Sequence, residues 1–344
     1  MCANTAGEIF KIRRFLYFRN EAFSDVLLEC EKNLLKITNA PYGSRVLFFT
    51  ASGTAAMEAA VINLISIEDK TIVINGGGFG QRFLDICRLH AREAINYQIK
   101  NNNLSDTEAL GKYKDATALL INSHETSTGL LYDLNAVGKF CQTNNILNIV
   151  DGISMFITDE LDMKKFHIDA LIVSSHKGLA LPPGLSMVIL APKALQRVQS
   201  PRSLYFDFHR YLKDGKRGQT PFTPAVTIIL QLQLRLRQIV AKTIEKEIEK
   251  AKEIANYFRK SIEKLPLKAY SDFMPNAMTT LSPTDGKKAS DIVDMLDKEY
   301  NVVVAPNGGT LKEVIFRVSH MGDMSEAYVD VLIDALYNYY EVKL

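Results

Sequence analysis

Apolar positions along this chain gather into short runs, and amphipathic stretches separate them. Val46–Thr50, Thr71–Asn75, Thr117–Asn122 and Ile146–Val150 are predicted strands, the last of them ending at Asp151. Between them Gly53–Ile65, a stretch from about Gly80 to Ala91, and Leu134–Asn144 carry a helical period. Two more apolar runs, Ala170–Val173 and Leu185–Leu190, read as buried strands on either side of a polar, glycine- and proline-containing loop that carries Lys177. Strands that alternate with helices predict a mainly parallel, doubly wound α/β sheet. Functional groups of such a sheet gather at the carboxyl ends of its strands.

Residues 1–20 read as an irregular arm, with Arg13, Arg14 and Arg19 among Phe10, Phe15, Tyr17 and Phe18, packed on the body or on a second subunit. Ser24 is predicted to cap an amphipathic helix that ends at Asn39-Ala40-Pro41. After Pro224 the pattern changes. Residues 225–265 predict one long helix, apolar in its first half and charged in its second, where Glu245, Lys246, Glu249, Lys250 and Lys252 suit a solvated face. Strands at Ala277–Leu281, Val302–Ala305 and Val314–Val318, with helices at Ala289–Tyr300 and Glu326–Tyr339, suggest a small α+β domain. The expected division is an arm (1–20), a large domain (21–240) and a small C-terminal domain (241–344) that includes the long bridging helix.

Composition narrows the function without naming it. The 344 residues are 47% hydrophobic and 23% charged, and 41 Lys+Arg against 39 Asp+Glu leave a net charge of +2. That balance gives no basis for nucleic acid or an anionic membrane as partner. Cys2, Cys30, Cys87 and Cys141 form no CxxC pair, which argues against zinc or a disulfide framework and fits a reducing, cytoplasmic setting. The opening residues lack the apolar core of a signal peptide, and no stretch approaches the roughly 20 apolar residues of a membrane span.

Four features fall at predicted strand ends. Ser52-Gly53-Thr54 starts a helix, where free N–H groups suit a phosphate, although serine and threonine cap helices everywhere. Phe79, among Gly76, Gly77, Gly78 and Gly80, could stack on a flat ligand or turn into the core. Residues 123–129, Ser-His-Glu-Thr-Ser-Thr-Gly, offer hydroxyls to a ligand; His124 and Glu125 are adjacent and lack a third ligand, so no metal is expected. Asp151 is either a buried structural carboxylate or a counter-charge for a protonated ligand nitrogen. Lys177, parked between core strands, is a candidate Schiff-base amine. Pyridoxal 5'-phosphate needs this set: an amine, an acid for its ring nitrogen, a phosphate cradle and a ring stacker.

The segments 52–60 (SGTAAMEAA), 124–129 (HETSTG), 150–156 (VDGISMF), 174–190 (SSHKGLALPPGLSMVIL) and 316–322 (FRVSHMG) together resemble the class V aminotransferases, from about residue 20 onward. The wording of HETSTG and RVSHMG is most similar to 2-aminoethylphosphonate–pyruvate aminotransferases, followed by alanine- and serine-glyoxylate aminotransferases. The resemblance implies a fold-type I, pyridoxal-phosphate-dependent homodimer with a mainly parallel seven-stranded sheet. It implies that Lys177 carries the Schiff base and shuttles the proton between the substrate α-carbon and the cofactor. Asp151 would pair with the pyridinium nitrogen, Phe79 would stack on one ring face and Ile153 would touch the other. Thr126 would approach the ring hydroxyl. Ser52, Gly53, Thr54 and His176 would hold the phosphate, and Thr223 would reach the neighbouring subunit's phosphate. Arg317 would clamp the substrate carboxylate. Family members usually open with a Pro-Gly-Pro-type loop lining the substrate pocket; Thr5-Ala6-Gly7-Glu8-Ile9 lacks those prolines, a departure that bears on the substrate.

Three alternatives share the scaffold. A cysteine desulfurase needs a nucleophilic cysteine on a late loop, and every cysteine here precedes residue 142. A lyase, decarboxylase or epimerase would use the same cofactor. A non-catalytic relative would have little use for Lys177, Asp151 and Arg317.

Overall fold

The apolar runs become a seven-stranded sheet: β1 (Arg45–Phe49), β2 (Thr71–Asn75), β3 (Ala94–Gln98), β4 (Ala118–Asn122), β5 (Leu147–Asp151), β6 (Ala170–Ser174) and β7 (Ser186–Leu190). The computed structural model describes residues 16–99 and 108–342. Across the sheet the strands run in the order β1-β7-β6-β5-β4-β2-β3. From β3 to β6 every pairing is parallel, whereas β7 is antiparallel to both β6 and β1. The reversal follows from the connection. A parallel return needs a crossover of a dozen or more residues, usually a helix, and residues 175–185 contain none. The loop that carries Lys177 must therefore fold straight back.

Helices cover both faces, which is why the strands read as nearly continuous apolar runs. In β2, Ile72 and Ile74 face one core and Val73 the other. The first core is closed by α1 (Glu21–Ile37), α4 (Leu134–Thr143) and α5 (Val226–Lys242), the second by α2 (Gly53–Leu64) and α3 (Gly78–Leu89). A separate, smaller core packs α6 (Ile244–Ser261), α7 (Ala289–Tyr300) and α8 (Glu326–Tyr339) on an antiparallel sheet. Its strands are β8 (Leu267–Ala269), β9 (Met278–Pro283), β10 (Ala305–Pro306) and β11 (Phe316–Ser319), in the order β8-β9-β11-β10.

Several expectations need correction. Helix α1 starts at Glu21, not after Ser24, because the Asn20 side chain accepts the Phe23 N–H at 2.9 Å. That brings the fully buried Phe23 into the first turn, and Ser24 instead accepts from Gln219 Nε2 at 2.7 Å. Strand β3 escaped the sequence reading because it is a half-buried edge strand of five residues. The single long helix is two helices, α5 and α6, separated by Thr243 at φ 79°. A β-branched residue rarely adopts that conformation, and a periodicity search has no means of seeing it. Ile229, Leu232 and Leu236 of α5 enter the large core, while Ile254 and Phe258 of α6 enter the small one. Arg235 and Glu247 form a nearly buried ion pair across the break. The predicted strand Val302–Ala305 reduces to Ala305–Pro306, since Asn301 ends α7 in the left-handed conformation. No helix among the described residues is long and apolar enough to cross a membrane.

Candidate active site

At the carboxyl end of β6 the chain enters a loop whose backbone is tied to itself. Ser175 Oγ donates to Pro182 O at 2.7 Å, and Leu181 N donates to Ser175 O at 3.0 Å. Lys177 sits inside this loop, 8% exposed, with Nζ donating to Ser154 Oγ at 3.2 Å. The next residue has to be glycine for reasons of space, because a Cβ on Gly178 would lie 2.2 Å from Phe156 O. His176 points back to the strand end, its Nδ1 3.0 Å from Ser174 Oγ.

Lys177 opens into a cleft shared with Asp151 at the end of β5. The Asp151 carboxyl is 7% exposed and accepts from Asn122 Nδ2 at 2.8 Å and from the Ile153 N–H at 3.0 Å. Burial dominates those bonds and pushes its pKa above the usual carboxylate range. A carboxyl in this state is completed by a cationic partner, as a protonated ring nitrogen would be.

The N-terminus of α2 forms another wall. Ser52 caps the helix, and its first turn leaves leading N–H groups without helical partners, an arrangement suited to a phosphate. Gly53 lets Ile153 lie close against the turn: a Cβ there would meet Ile153 Cδ1 at 2.4 Å. Thr54 completes the turn.

Phe79 is set by a residue from a different segment. The fully buried Glu125 carboxylate accepts the Phe79 N–H at 3.1 Å and the Gly80 N–H at 2.9 Å, capping α3 from outside. Ser127 joins the same carboxylate and also accepts from the Gly78 N–H at 2.8 Å. This is why α3 begins at Gly78, two residues before the expected start. Glu125, considered as half of a metal pair, instead acts as a cap, and the described residues hold no group of three or more potential metal ligands.

Ser52, Gly53, Thr54, Phe79, Thr126, Asp151, Ile153, His176 and Lys177 thus line one cleft. Two predicted residues do not line it. Thr223 is exposed, on a segment tied down where Ala225 N donates to Thr50 Oγ1 at 2.8 Å. Arg317, on β11, lies beside the cleft: Nη1 donates to Thr126 O at 2.9 Å and Nη2 to Pro306 O at 2.6 Å. Its Nε is buried with no partner among the described residues, and burial lowers the guanidinium's proton affinity against the pull of Glu125.

Met57, Arg82 and Ser154 also line the cleft and were missed, as does His124, which the sequence offered only as a metal ligand. Arg82 and Ser154 each follow a predicted site residue by three positions, a spacing that could have found them on a helix or tight turn. His124 is 3% exposed, and neither ring nitrogen has a partner among the described residues. Burial, with Lys177 and Arg317 nearby, holds its pKa well below the ordinary imidazole value, so it faces the cleft as a neutral ring with one donor and one acceptor to offer.

Two further arginines have structural partners. Arg45 pairs with Glu31, and Arg19 donates to Thr220 O at 2.9 Å and lies over the Phe18 ring. Arg13, Arg14 and the Thr5–Ile9 segment fall outside the described residues. Cys30, Cys87 and Cys141 are buried in the large cores, where burial pushes the Cys87 and Cys141 thiols up to about 12, away from nucleophilic thiolate character.

The residues fit pyridoxal 5'-phosphate on their own geometry. An amine, an acid short of a cation, a helix N-terminus and two unsatisfied imidazole nitrogens converge on one cleft. The Aminotransferase class-V family model matches residues 11–325. An uncharacterized aminotransferase of Methanocaldococcus jannaschii is 30% identical over 321 residues, covering 90% of this chain and 83% of that protein. An L-aspartate–glyoxylate aminotransferase of Paracoccus denitrificans is 26% identical over 87% of this chain and 78% of its own length. The solved aspartate aminotransferase of subgroup IV from Thermus thermophilus superposes with a TM-score of 0.91 at 26% identity, covering 98% of this chain and 97% of that one. The chain therefore belongs to the class V aminotransferases, fold-type I transaminases that depend on pyridoxal 5'-phosphate.

Proposed function

We propose that this transaminase moves the amino group of a small amino acid or amine to a short 2-oxo acid, glyoxylate or pyruvate, with Lys177 as the base. The observation that carries the reading is the shared cleft of Lys177 and Asp151 at adjacent strand ends. When bound, the cofactor supplies the electron sink for the pair left at the donor carbon. Ser52, Gly53 and Thr54 would hold its phosphate, with His176 beside them. Phe79 and Ile153 would pack against its ring, and Thr126 would approach its hydroxyl. Asp151 would keep the ring nitrogen protonated. Lys177 Nζ takes the proton from the donor carbon, and in the second half-reaction it returns a proton to the acceptor carbon. Ser154 steadies that amine between the two steps. The donor class follows glyoxylate-using relatives, named for aspartate and, in Arabidopsis thaliana, for serine. 2-Aminoethylphosphonate, which the motif wording favours, is the second reading.

A donor screen tests this. Loss of the holoenzyme's visible band on adding serine, alanine, aspartate or 2-aminoethylphosphonate identifies the donor, and its return on adding glyoxylate or pyruvate identifies the acceptor. A band that returns without any added oxo acid, as the donor is consumed, would mean lyase or decarboxylase chemistry.

Arg317 is assigned to the substrate carboxylate through its unpartnered Nε. Arg317→Ala should raise the KM for the oxo acid about ten- to a hundredfold, the worth of a charge-assisted hydrogen bond, with a smaller change in kcat. Arg317→Lys should fail to restore it, because one ammonium cannot keep both carbonyl bonds of the guanidinium and still present a donor to the carboxylate. An unchanged KM would move the clamp elsewhere.

Thr223 is assigned to a second copy of the chain, whose phosphate site it completes in a homodimer. Light scattering on the active fraction should give a dimer. A fully active monomer would remove this role.

A further inference from the structure

We propose that Arg82 is a positioning residue for the phosphate end of the cofactor, acting through the Thr54 hydroxyl while it holds the Phe79 ring. The inference rests on the cofactor reading above and adds a residue to it. Arg82 follows Phe79 by three positions on α3, so the two side chains share a helix face. Its guanidinium carbon lies 4.6 Å from the Phe79 ring centroid, and Nη1 donates to Thr54 Oγ1, on α2, at 2.9 Å. One side chain thus ties the predicted ring stacker to the predicted phosphate turn, and all three residues line the same cleft.

The hydrogen-bond inventory gives the tie a direction. A guanidinium carries donors only, so Thr54 must accept from it. The threonine's own hydrogen is then left to point elsewhere, and a charged donor polarises the hydroxyl into a better donor itself. A phosphate oxygen at the α2 N-terminus is the matching acceptor. Arg82 also forms no ion pair among the described residues, whereas Arg45, Arg197 and Arg235 each have a carboxylate. A partly buried cation without a counter-ion, beside a helix N-terminus, is suited to an anion.

The test compares cofactor-free wild type, Arg82→Ala, Arg82→Lys, Thr54→Val and the Arg82→Ala/Thr54→Val double variant. Each is titrated with pyridoxal 5'-phosphate and, separately, with pyridoxal, which lacks the phosphate. Arg82→Ala should weaken pyridoxal 5'-phosphate about ten- to a hundredfold and pyridoxal by less than about threefold. Arg82→Lys should recover part of the loss, and the double variant should lose less than the product of the two single losses. Equal losses for the two ligands, independent effects in the double variant, or no loss in Arg82→Ala would overturn the proposal. Should Arg82→Ala lack a cooperative melt, Arg82→Lys carries the same two-ligand comparison: a loss confined to the phosphorylated ligand supports the role, and equal losses overturn it. Wild type that binds neither ligand would overturn the cofactor assignment itself, whatever Arg82 does.

Discussion

Replacing Lys177 with alanine should lower kcat by at least about 10³-fold, since general-base and nucleophilic roles would be lost together. The side chain is 8% exposed, and Nζ donates to Ser154 Oγ at 3.2 Å, which orients it. Among the described residues no other lysine lines the cleft, so none of them offers a neighbouring amine to replace it. The variant should still fold. Lys177 makes its principal backbone contribution through its carbonyl, which accepts from Ala180 N at 2.8 Å and is kept by alanine. Truncation also removes an amine from a buried setting, where charge is costly. The measurement is steady-state turnover beside a thermal melt of the cofactor-free chain. Residual activity above a tenth of wild type, with the melt unchanged, would end the assignment of Lys177 as the base.

Asp151→Asn should cost on the order of 10²–10³-fold in kcat, the usual loss when a preorganised charge is removed from a site. The amide has nearly the same shape, so the loss is electrostatic. The stability of the cofactor-free chain should respond in the opposite sense. Burial raises the Asp151 pKa, so the folded state disfavours the carboxylate relative to the unfolded chain. Between the ordinary carboxylate pKa and the raised one, wild-type stability therefore falls as pH rises, and the penalty persists above that window. Asparagine has no such titration, so its melt should be flatter with pH and no lower than wild type near neutrality. A variant that melts much lower while keeping its turnover would make Asp151 a structural residue only.

The parts of this molecule legible in sequence were those with a local signature. Six of the seven sheet strands are apolar runs, and nine of the thirteen residues that line the cleft among the described residues were picked out where such runs stop. What stayed hidden was set by partners distant in the chain. The start of α3 depends on Glu125, 45 residues after Gly80. Arg82 gains its place from Thr54 on another helix. His124 was visible but read for its ligating nitrogens, when its burial and its neighbours decide what it does. The break at Thr243 leaves the apolar period almost undisturbed and exists only as a single backbone angle.

That break has a mechanical side. Arg235 lies on the first helix, yet its Nε donates to Leu179 O, two residues past Lys177, and its Nη groups grip Glu247 on the second. The Lys177 loop and helix α6, which packs on the small sheet, are consequently joined in series through one guanidinium. A ligand that favours one setting of the small sheet would be coupled energetically to the amine, and the amine's surroundings to that ligand, by the same amount. The size of that reciprocity is bounded by how differently the ligand contacts the two settings. On the roles proposed above, a carboxylate held at Arg317 and the Lys177 amine would then sense each other at a distance, through the Arg235 side chain.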